Sequence, residues 1–550
     1  MKHIISICAV VMSLSAALWS CQDHYLDDHY AKPDEGTAQS SLLEVLESDP
    51  SLSEFTKIVK DYKVDKLLDA DQTFTVWAPV NGSIDLAGLL ASGDSGAVVE
   101  QLLNNHINRY VYNEADLTDT LYVRIKMLNG KFQTMRREGT QLSFAEIPII
   151  ESFGAHNGVV HKISGVSPFY LNIYEQLKDE GGKYSALAAY IESFDEYIFN
   201  KDKSVAIGKN HLGQLTYDSV FDYRSAWMRR FGDIYKEDST YTMLAPTQFG
   251  WNDAYTHVSG YFRTFGECLS EKIKNKDTKV VEREFAIEGD FVDSLTHCHT
   301  SEAISSNLVF RRTPNVFSAP GDSLVNTAGN SLHHPEDVFG NARKMIVSNG
   351  VMYSTDRWTM PDSVCFFKPI VVEAENTKGR YDAYANVFSR SASASQMADS
   401  VSGQKFIEVK AATSSARSQP MVQFTVPNTL AATYDVYVVF APAAAYVDDA
   451  EPDSTRVNFF MNYVHEDGRM YEDAVIKGGV TNGTRMTKMF VTRIMLPFAN
   501  FSKSRFQGLG KQQLDDCVRI RIQTNVAANE TTTLTRTMRI DKIVFQPVYE

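Results

Sequence analysis

The stretch that decides the fold is NGVVHKIS (residues 157–164), because the chain nearly repeats it as NGVMYSTD (residues 349–356). A second phrase recurs as well: TFTVWAPV (residues 73–80) is matched by TYTMLAPT (residues 240–247), and it precedes the Asn-Gly phrase in both places. Two phrases that recur in the same order indicate internal duplication. The sequence therefore predicts two copies of one domain.

The chain is long and acidic. Its 550 residues exceed what one hydrophobic core usually holds and predict roughly three or four domains of ~100–200 residues. Hydrophobic residues make up 43% and charged residues 22%, as in ordinary globular proteins. The formal net charge is −14 and no cluster of Lys and Arg offsets it locally, which argues against nucleic acid or an anionic membrane surface as a partner.

The N-terminal segment has the pattern of an export signal. A short basic start (MKH) precedes a mostly apolar run, residues 4–19, which is shorter than the ~20 residues of a membrane span. The run closes on Leu18-Trp19-Ser20-Cys21, which resembles the lipobox of bacterial lipoproteins. The resemblance implies a signal peptide over residues 1–20 and a diacylglycerol on the thiol of Cys21. The alternative is an ordinary signal peptide with an accidental cysteine.

The segment that follows Cys21 is short, polar and acidic. Its start, QDHYLDDHY (residues 22–30), resembles the signal by which some Gram-negative bacteria send lipoproteins to the outer face of the outer membrane. We therefore expect residues 21–39 to form a flexible acidic tether. The chain would then be anchored in the outer membrane by lipid and face the cell exterior.

Each copy of the repeat is predicted to be a compact α+β domain. An apolar face recurs at helical spacing before the first strand: Leu52, Phe55, Ile58, Val59 and Tyr62. Ser51 and Glu54 have the spacing of a capping box at the start of that helix. TFTVW then alternates polar with apolar residues, which predicts a half-buried strand that Pro79 ends.

The first copy resembles the fasciclin-type domain. TFTVWAPVNGSID (residues 73–85) and NGVVHKISGV (residues 157–166) are similar to the two conserved boxes of that family. Between the boxes lie QLLNNHIN, which contains His106, and the turn LNGK, as the family pattern has them. The resemblance implies a fasciclin-like domain over residues 40–170.

The second copy departs from this pattern. It carries both boxes but has longer spacing between them, a long insertion before the first box and no equivalent of His106. It therefore implies a decorated fasciclin-like domain over residues 171–367, whose insertions are candidate partner-facing surfaces.

Three residue classes in the repeats are expected to be structural. Gly158 and Gly350 would supply the backbone freedom of the turn into a core strand. His106 and His161 are expected to be packed and hydrogen-bonded inside the fold and not to act as ligands or catalysts. Four cysteines remain beyond residue 21, none in a C-x-x-C pair, and we expect buried small hydrophobic residues with no specific disulfide: Cys268, Cys298, Cys365 and Cys517.

The last third, residues 368–550, changes to short strands separated by turns. MVQFTVPN (residues 421–428) and TYDVYVVFAP (residues 433–442) alternate apolar with polar residues, and helical periodicity is nearly absent. This pattern predicts an antiparallel β-sandwich or jelly roll. The whole chain is thus expected to be α+β, with two tandem fasciclin-like domains followed by the sandwich.

The sandwich region resembles the galactose-binding-like modules that include many carbohydrate-binding modules. The resemblance lies in VVEAEN (residues 371–376) and RTMRIDKIVFQPV (residues 536–548), at the two ends of the region. It implies a structural calcium held by Glu373, Glu375 and Asp541, since calcium takes several hard oxygen ligands. The alternative is a carboxylate pair at a strand edge that is solvated or salt-bridged. No aromatic sugar platform is identified, although three tyrosines are available: Tyr446, Tyr463 and Tyr471.

The chain shows no catalytic constellation. G-x-S-x-G, H-E-x-x-H, P-loop and dinucleotide-binding glycine motifs are absent, and HHPED (residues 333–337) puts adjacent residues on a loop where they rarely converge on one metal. We therefore expect a non-enzyme with no cofactor besides the possible structural calcium.

The expected function is molecular contact at the cell surface. A lipoprotein with these domains would bind a nutrient, a glycan above all, or dock as an accessory subunit on a SusCD-like outer-membrane importer. The alternative is a surface adhesin that mediates cell or matrix attachment. The expected partners are accordingly the transporter complex or an extracellular glycan, the membrane through the lipid anchor, and no nucleic acid.

Overall fold

A computed structural model describes most of the chain after residue 39. The described ranges are 40–70, 72–91, 94–117, 122–179, 181–209, 215–311, 323–413, 419–448, 450–501 and 515–549. The predicted signal peptide, Cys21 and the tether lie outside them. Among the described residues, no helix combines the length and apolar character needed to cross a bilayer.

The described residues form two compact units. The first holds the residues up to Ile173 together with Tyr235–Ser239 and Ile346–Gly350, and the second holds Tyr174–Ile234, Thr240–Met345 and Val351–Glu550. Helices of the first unit are Leu42–Ser48, Ser53–Asp61, Asp65–Leu68 and Leu86–Leu89, with a π-helical stretch at Val98–Leu103. Its strands are β1 (Phe74–Pro79), β2 (Ile107–Asn108), β3 (Tyr122–Lys126), β4 (Phe132–Glu138), β5 (Gln141–Phe144), β6 (Ile147–Ala155) and β7 (Gly158–Ile163).

One seven-stranded sheet organises the first unit, in the order β2-β1-β7-β6-β5-β4-β3. β1 and β7 pair in parallel, so the two repeated phrases lie side by side. Phe74 and Val76 of β1 pack into the helical core, whereas Trp77 stacks on Phe144 at 4.4 Å on the other face. β1 is therefore buried on both faces, and Thr75 is fully buried as well. The prediction of a half-buried strand is wrong, because β3, β4 and β5 carry a second cluster that covers its other face.

The first helices are partly as predicted. Leu52, Phe55 and Val59 are fully buried, which confirms the apolar face. The predicted capping box at Ser51 is wrong, because the helix begins at Ser53 without a side-chain cap. A capping box forms one helix earlier, where Ser41 caps Leu42–Ser48.

The Asn-Gly phrase anchors the start of the unit. The amide of Leu42 donates to Asn157 Oδ1 (2.9 Å), and Asn157 Nδ2 donates to the carbonyl of Leu68 (2.9 Å). Gly158 has a φ of 151°, and a Cβ there would lie 1.8 Å from the carbonyl oxygen of Phe74. The phrase is thus a turn into a core strand, as predicted, and the side chain of Asn157 also holds the first helix in place.

Asn349 repeats these bonds. The amide of Ile173, at the start of a helix, donates to Asn349 Oδ1 (2.9 Å), and Asn349 Nδ2 donates to the carbonyl of Lys236 (3.2 Å). Gly350 follows with a φ of 147°. The two phrases therefore make the same kind of contact at corresponding places.

The LNGK turn carries a buried ion pair. Lys131, only 4% exposed, donates to Glu237 Oε1 at 3.0 Å. The hydroxyl of Ser348 and Nδ2 of Asn172 donate to the same oxygen. These bonds offset part of the cost of burying both charges and tie the turn to the two short segments that belong to this unit.

Most of the second repeat lies in the second unit. Its helices are Ile173–Asp179, which begins at the last residue of the first unit, Ser185–Glu192, Ala226–Phe231, Gln248–Ser259, Asp290–Ser305, Pro335–Phe339 and Asp362–Cys365. Its strands are β8 (Asp195–Phe199), β9 (Val205–Lys209), β10 (Leu215–Asp218), β11 (Phe221–Ser225), β12 (Tyr241–Pro246), β13 (Cys268–Asn275), β14 (Val280–Phe285), β15 (Val309–Phe310), β16 (Ser323–Val325), β17 (Ser331–His333), β18 (Arg343–Val347) and β19 (Gly350–Thr355).

The core of the second repeat has the topology of the first. Its four-stranded sheet has the order β15-β12-β19-β18, where β12 carries the TYTMLAP phrase and β19 the Asn-Gly phrase. The first repeat has the equivalent order β2-β1-β7-β6. The insertions lie outside this sheet: β8 pairs with β11 and β9 with β10 as two-stranded ribbons.

The last part of the second unit is a sandwich of two antiparallel sheets, as predicted. Its strands are β20 (Ile370–Glu373), β21 (Tyr381–Ala383), β22 (Ala385–Ser391), β23 (Lys405–Ala411), β24 (Met421–Thr425), β25 (Thr433–Phe440), β26 (Arg456–Val464), β27 (Arg469–Glu472), β28 (Ile476–Val480), β29 (Thr487–Met495), β30 (Arg519–Thr524) and β31 (Met538–Pro547). The front sheet has the order β13-β14-β27-β26-β30-β24-β21, with β28 on β26, and the back sheet β22-β23-β31-β25-β29, with β20 on β31.

The front sheet is not confined to residues 368–550. Its first two strands, β13 and β14, come from the region that the sequence assigned to the second fasciclin-like domain. Three of the four cysteines are buried, as expected, but Cys268 is exposed at the start of β13. The expectation for Cys268 is wrong because β13 is an exposed outer strand.

Candidate calcium centre and binding faces

The three predicted calcium ligands lie together at one end of the back sheet. Glu373 ends β20, Glu375 follows it, and Asp541 is a fully buried residue of β31. Ser402 links two of them, because its hydroxyl donates to Glu373 Oε1 (2.7 Å) and its amide donates to Asp541 Oδ1 (3.0 Å). One carboxylate oxygen of each acidic residue is buried and has no hydrogen-bond partner in the part of the chain that the structure describes: Glu373 Oε2, Glu375 Oε2 and Asp541 Oδ2.

In this cluster the desolvation of the carboxylates outweighs the effect of the nearby cations. Burial raises the pKa of the Asp541 carboxyl to about 6, and the carboxylates of Glu373 and Glu375 add to the rise. Burial likewise raises the pKa of Glu375, again with a contribution from Glu373. A cation at this place would remove both the repulsion and the desolvation cost of the unpaired oxygens.

The donor set fits calcium by chemistry. All three side chains offer hard oxygen ligands, and the orphaned buried oxygens are the atoms that a cation would take. Within the described ranges, no three His, Cys, Asp or Glu side chains are already closed around one point as metal ligands. Calcium would therefore have to draw the carboxylates of Glu373, Glu375 and Asp541 closer together, and its contribution would be to the stability of the strand ends.

The outer face of the front sheet is covered by a hairpin that we call the strap, Cys268–Phe285. Among the described residues, strand pairing joins the strap to the sheet at Arg283 and Glu284, beside β27. Its tip reaches the opposite edge, because the hydroxyls of Tyr381 and Tyr384 donate to the carbonyl (2.6 Å) and to Oδ2 (3.2 Å) of Asp277.

The strap lies over polar side chains of the front sheet. The five strands from β27 to β21 span about 19 Å, and β14 with the turn at its start runs from Arg283 beside β27 to Asp277 at β21. Side chains of the sheet below the strap are polar yet less than 10% exposed: Gln423, Asn462, Arg519 and Arg521. Asn462 Nδ2 donates to the carbonyl of Val281 in the strap (3.4 Å). The strap therefore crosses the face of the sheet and closes it.

The outer face of the back sheet is open. Strand pairing places four residues side by side across β20, β31, β25 and β29: Val371, Val544, Tyr437 and Phe490. We call these residues the apolar row, which is about 14 Å long because it crosses three strand spacings. Val371 is 47% and Phe490 53% exposed. Val544 and Tyr437 between them are half-buried. A line of apolar and aromatic side chains that solvent reaches on a sheet indicates a contact surface.

Polar side chains flank the apolar row on both sides. On one side lie Lys542 and Lys488, whose ammonium group is 4.2 Å from the ring of Tyr437. On the other side lie Gln546 and the pair Asp435–Arg493, joined by two hydrogen bonds of 2.7 and 2.9 Å. The face thus offers donors and acceptors along the length of an apolar line.

The three tyrosines named from the sequence do not lie in this row. The hydroxyl of Tyr446 donates to the buried Glu408 (3.0 Å), so it is a structural residue. Tyr463 packs against His465, and His465 in turn stacks on Tyr471 at 3.8 Å. Tyr437 and Phe490 could not be identified from the sequence, because the residues around them show only an alternation of polar and apolar side chains. Strand pairing is needed to bring the two rings together.

His106 and His161 of the first repeat are buried and hydrogen-bonded inside the fold, as predicted. Burial lowers the pKa of His106 to about 4, so the ring is neutral. His106 Nδ1 donates to the carbonyl of Leu102 (2.7 Å), and Nε2 accepts from the amide of Ser167 (2.8 Å). His161 is fully buried between the hydroxyl of Ser152 and the carbonyl of Tyr112.

The histidine pairs of the second repeat do not build a site. In HHPED, exposed His334 lies 3.1 Å from Glu336, and His333 ends a different element, β17. His297 contacts the hydroxyl of Tyr255, whereas His299 is buried against Phe501. Neither pair brings both of its rings to a common point.

Comparison with known families assigns the first repeat. Residues 50–166 match the Fasciclin domain family, a range that includes β1 to β7. These residues therefore form a fasciclin domain. A search of curated proteins finds no match to the chain.

Solved structures show remote similarity. The FAS1 domain pair of the insect cell adhesion molecule Fasciclin I is 13% identical, with 57% of this chain and 98% of that chain covered and a TM-score of 0.19. A family 35 carbohydrate-binding module from Clostridium thermocellum is 9% identical (33% and 99% covered, TM-score 0.18), and the family 11 module of Lic26A-Cel5E from the same organism is 10% identical (33% and 96% covered, TM-score 0.19).

Proposed function

We propose that the chain is a non-catalytic binding protein of the cell surface that holds a glycan on the outer face of the back sheet. The observation that carries the proposal is the apolar row, Val371–Val544–Tyr437–Phe490 by strand pairing, open to solvent and flanked by polar side chains.

The chemistry of this face suits a sugar chain. A pyranose ring has apolar C–H faces and a rim of hydroxyl groups, so it packs on aromatic rings and needs donors and acceptors at its edges. Phe490 supplies an exposed ring, and Tyr437 lies against it at 5.5 Å in an edge-on arrangement. Lys488 donates from one side, and Asp435 accepts from the other. A linear glycan lying across the strands would meet all of them.

The first test truncates the row. Phe490→Ala should weaken binding to the best member of a soluble polysaccharide panel about tenfold, since an aromatic residue that stacks on the ligand can carry more than about 1 kcal/mol of binding energy. Met495→Ala is the matched control, because Met495 lies on the same strand and is 58% exposed but stands outside the row. Equal affinity of the Phe490→Ala and Met495→Ala variants, measured by affinity electrophoresis, would refute this site.

The anchor proposed at Cys21 would make a modest binder effective. A lipid on Cys21 and the tether of residues 21–39 would confine the sandwich to a layer above the outer membrane, which raises its effective concentration there. A Cys21→Ser variant should leave the membrane fraction. Retention of that variant in envelopes as firmly as the parent would exclude the lipid anchor.

We further propose that the bound glycan is a nutrient and that the second repeat docks on a SusCD-like importer. The two-stranded ribbons β8–β11 and β9–β10 support this role, because such ribbons are marginally stable alone and these expose large apolar side chains. The most exposed are Tyr197 (70%), Ile207 (68%), Val205 (63%) and Phe221 (52%).

Purification from native membranes separates this role from adhesion. An importer accessory should co-purify with an outer-membrane transporter, and Tyr197→Ser with Phe221→Ser should abolish the association. Loss of cell or matrix attachment in a deletion strain, without a membrane partner, would instead identify an adhesin.

A further inference from the structure

We propose that the strap is a lid over a second binding face, on the front sheet, and that this face takes an extended glycan chain when the lid opens. The proposal goes beyond the site on the back sheet and does not depend on it. It rests on the unequal attachment of the two ends of the strap and on the polar surface that the strap covers.

The base of the strap is fixed by apolar packing. Phe285 packs on Phe265 at 4.6 Å, and both belong to a buried cluster with Val464, Met470 and Phe498. The amide of Phe285 also donates to the carbonyl of Gly468 (2.9 Å). Removing this end would expose several large side chains, so the base stays closed.

The tip is held by polar contacts. Asp277 accepts hydrogen bonds from the hydroxyls of Tyr381 and Tyr384. The ammonium group of Lys279 lies 4.3 Å from the ring of Tyr381. β13 is exposed along its whole length, and in β14 only Val281 and Phe285 are buried. A segment with a firm base and a few polar contacts at its tip opens from the tip.

The covered surface is built for polar contact. Arg521 lies 3.5 Å from the ring of Phe460 and makes two hydrogen bonds with Glu472, 2.6 and 3.0 Å long. Gln423 and Asn462 stand beside it on neighbouring strands, and Asn462 Oδ1 is buried with no hydrogen-bond partner among the described residues. Burying such groups under a permanent cover costs free energy that an apolar face would not.

One contact shows how a ligand would bind. Asn462 donates to a backbone carbonyl of the strap, so the strap already occupies the place of an extended chain that presents acceptors. Arg521 stacked on Phe460 forms a flat surface about the width of a sugar ring, with the carboxylate of Glu472 at its edge. These are the groups that recognise a glycan, and the face is about 19 Å across. The strap therefore competes with the glycan within one molecule.

The lid lowers the apparent affinity. A face that is open in only a fraction of molecules binds with its intrinsic dissociation constant divided by that fraction. Loosening the tip should raise the open fraction and tighten binding, without any change in the face itself.

The experiment removes the two latch hydroxyls from the full chain. Tyr381→Phe with Tyr384→Phe deletes two hydrogen bonds to Asp277 and leaves the rings in place, which should raise the open fraction on the order of tenfold. Tyr549→Phe is the matched control, since its hydroxyl donates to the carbonyl of Phe367 elsewhere in the second unit. All chains also carry Phe490→Ala, so that the back-sheet site does not contribute to binding.

Two readings decide the proposal. Hydrogen exchange should become severalfold to tenfold faster in the strap tip, but not around Phe285, and affinity for a β-glucan, xylan, mannan or pectin should rise by a similar factor. Unchanged exchange at the tip would overturn the lid, and faster exchange with no gain in affinity for any of the four polysaccharides would overturn the binding face. If Phe490→Ala does not affect binding in the parent chain, that result contradicts only the site on the back sheet and does not bear on the lid.

Discussion

The two repeats keep the same core contact and differ in what surrounds it. Asn157 and Asn349 each accept from the first amide of a helix and donate to a carbonyl near the other repeated strand, and a glycine at φ of 151° or 147° follows each. Around that contact, the first repeat closes its sheet with β3, β4 and β5, whereas the second sends two ribbons and the strap outward. The contrast shows that the contact made by the Asn-Gly turn can be retained while most of the surrounding surface is replaced.

Substitution of the two turn glycines, Gly158 and Gly350, should give the largest changes in stability. Gly158→Ala places a Cβ 1.8 Å from the Phe74 carbonyl, so the strand must move, and we expect about 4 kcal/mol or more to be lost from the free energy of unfolding. Gly350→Ala should cost a similar amount, because its backbone conformation is the same.

Urea unfolding of the full chain, followed by hydrogen exchange in β1 and β12, would assign each loss to its own repeat. A loss below about 1 kcal/mol in either variant would break the equivalence of the two turns.

Titration of His106 should destabilise the first repeat at acid pH and so distinguish it from the second repeat, which has no equivalent of His106. Its pKa is about 4 in the folded chain and near 6.5 when unfolded, so its stabilising effect is complete above about pH 6.5 and is lost as the pH falls to about 4. The loss should approach 3 kcal/mol by the linkage relation, about 1.4 kcal/mol for each unit of pKa. Unfolding of β1 measured between pH 7 and 4 should show it.

His106→Gln is the control, because it removes the titration at this position while keeping a hydrogen-bonding side chain. A persisting acid loss of the same size in that variant would assign the pH dependence to other groups.

Calcium should act on the sandwich and leave both repeats unchanged, which makes the sandwich an internal reference. At one hundred times its dissociation constant, calcium should add about 2.7 kcal/mol to the stability of the sandwich strands. Without calcium, Asp541 stabilises the folded sandwich fully below about pH 4, because its pKa is raised to about 6 in the fold. This stabilisation is lost as the pH rises through about 6.

Asp541→Asn should abolish the calcium response. Thermal unfolding with and without a chelator provides the measurement, and calcium stabilisation of equal size in that variant would place the ion elsewhere.

The asparagine anchors should give the smallest effect. Asn157→Ala and Asn349→Ala each remove two hydrogen bonds and should cost about 1–3 kcal/mol. Asn252→Ala, on an exposed helix position, is the control and should cost little. A twofold difference between the two anchors would show that the surrounding insertions have changed what the contact supports.

The sequence was informative where spacing along the chain carries the signal. The repeated phrases predicted both core sheets, and the helical spacing of Leu52, Phe55 and Val59 predicted a buried face. It failed at the Ser51 cap, because a capping box one helix earlier uses the same residue types. The charged alternation of β13 and β14 could have suggested a hairpin, but nothing along the chain says which sheet it joins.

By itself the sequence determined the duplicated core, the sandwich and the two ends of the sandwich region that supply Glu373, Glu375 and Asp541. Local periodicity and composition are properties of neighbouring residues, so one chain is enough to read them. Only the tertiary structure decided that the strap closes the front sheet and that Tyr437 and Phe490 share a row on the back sheet, since register and long-range pairing join residues that are far apart in the chain.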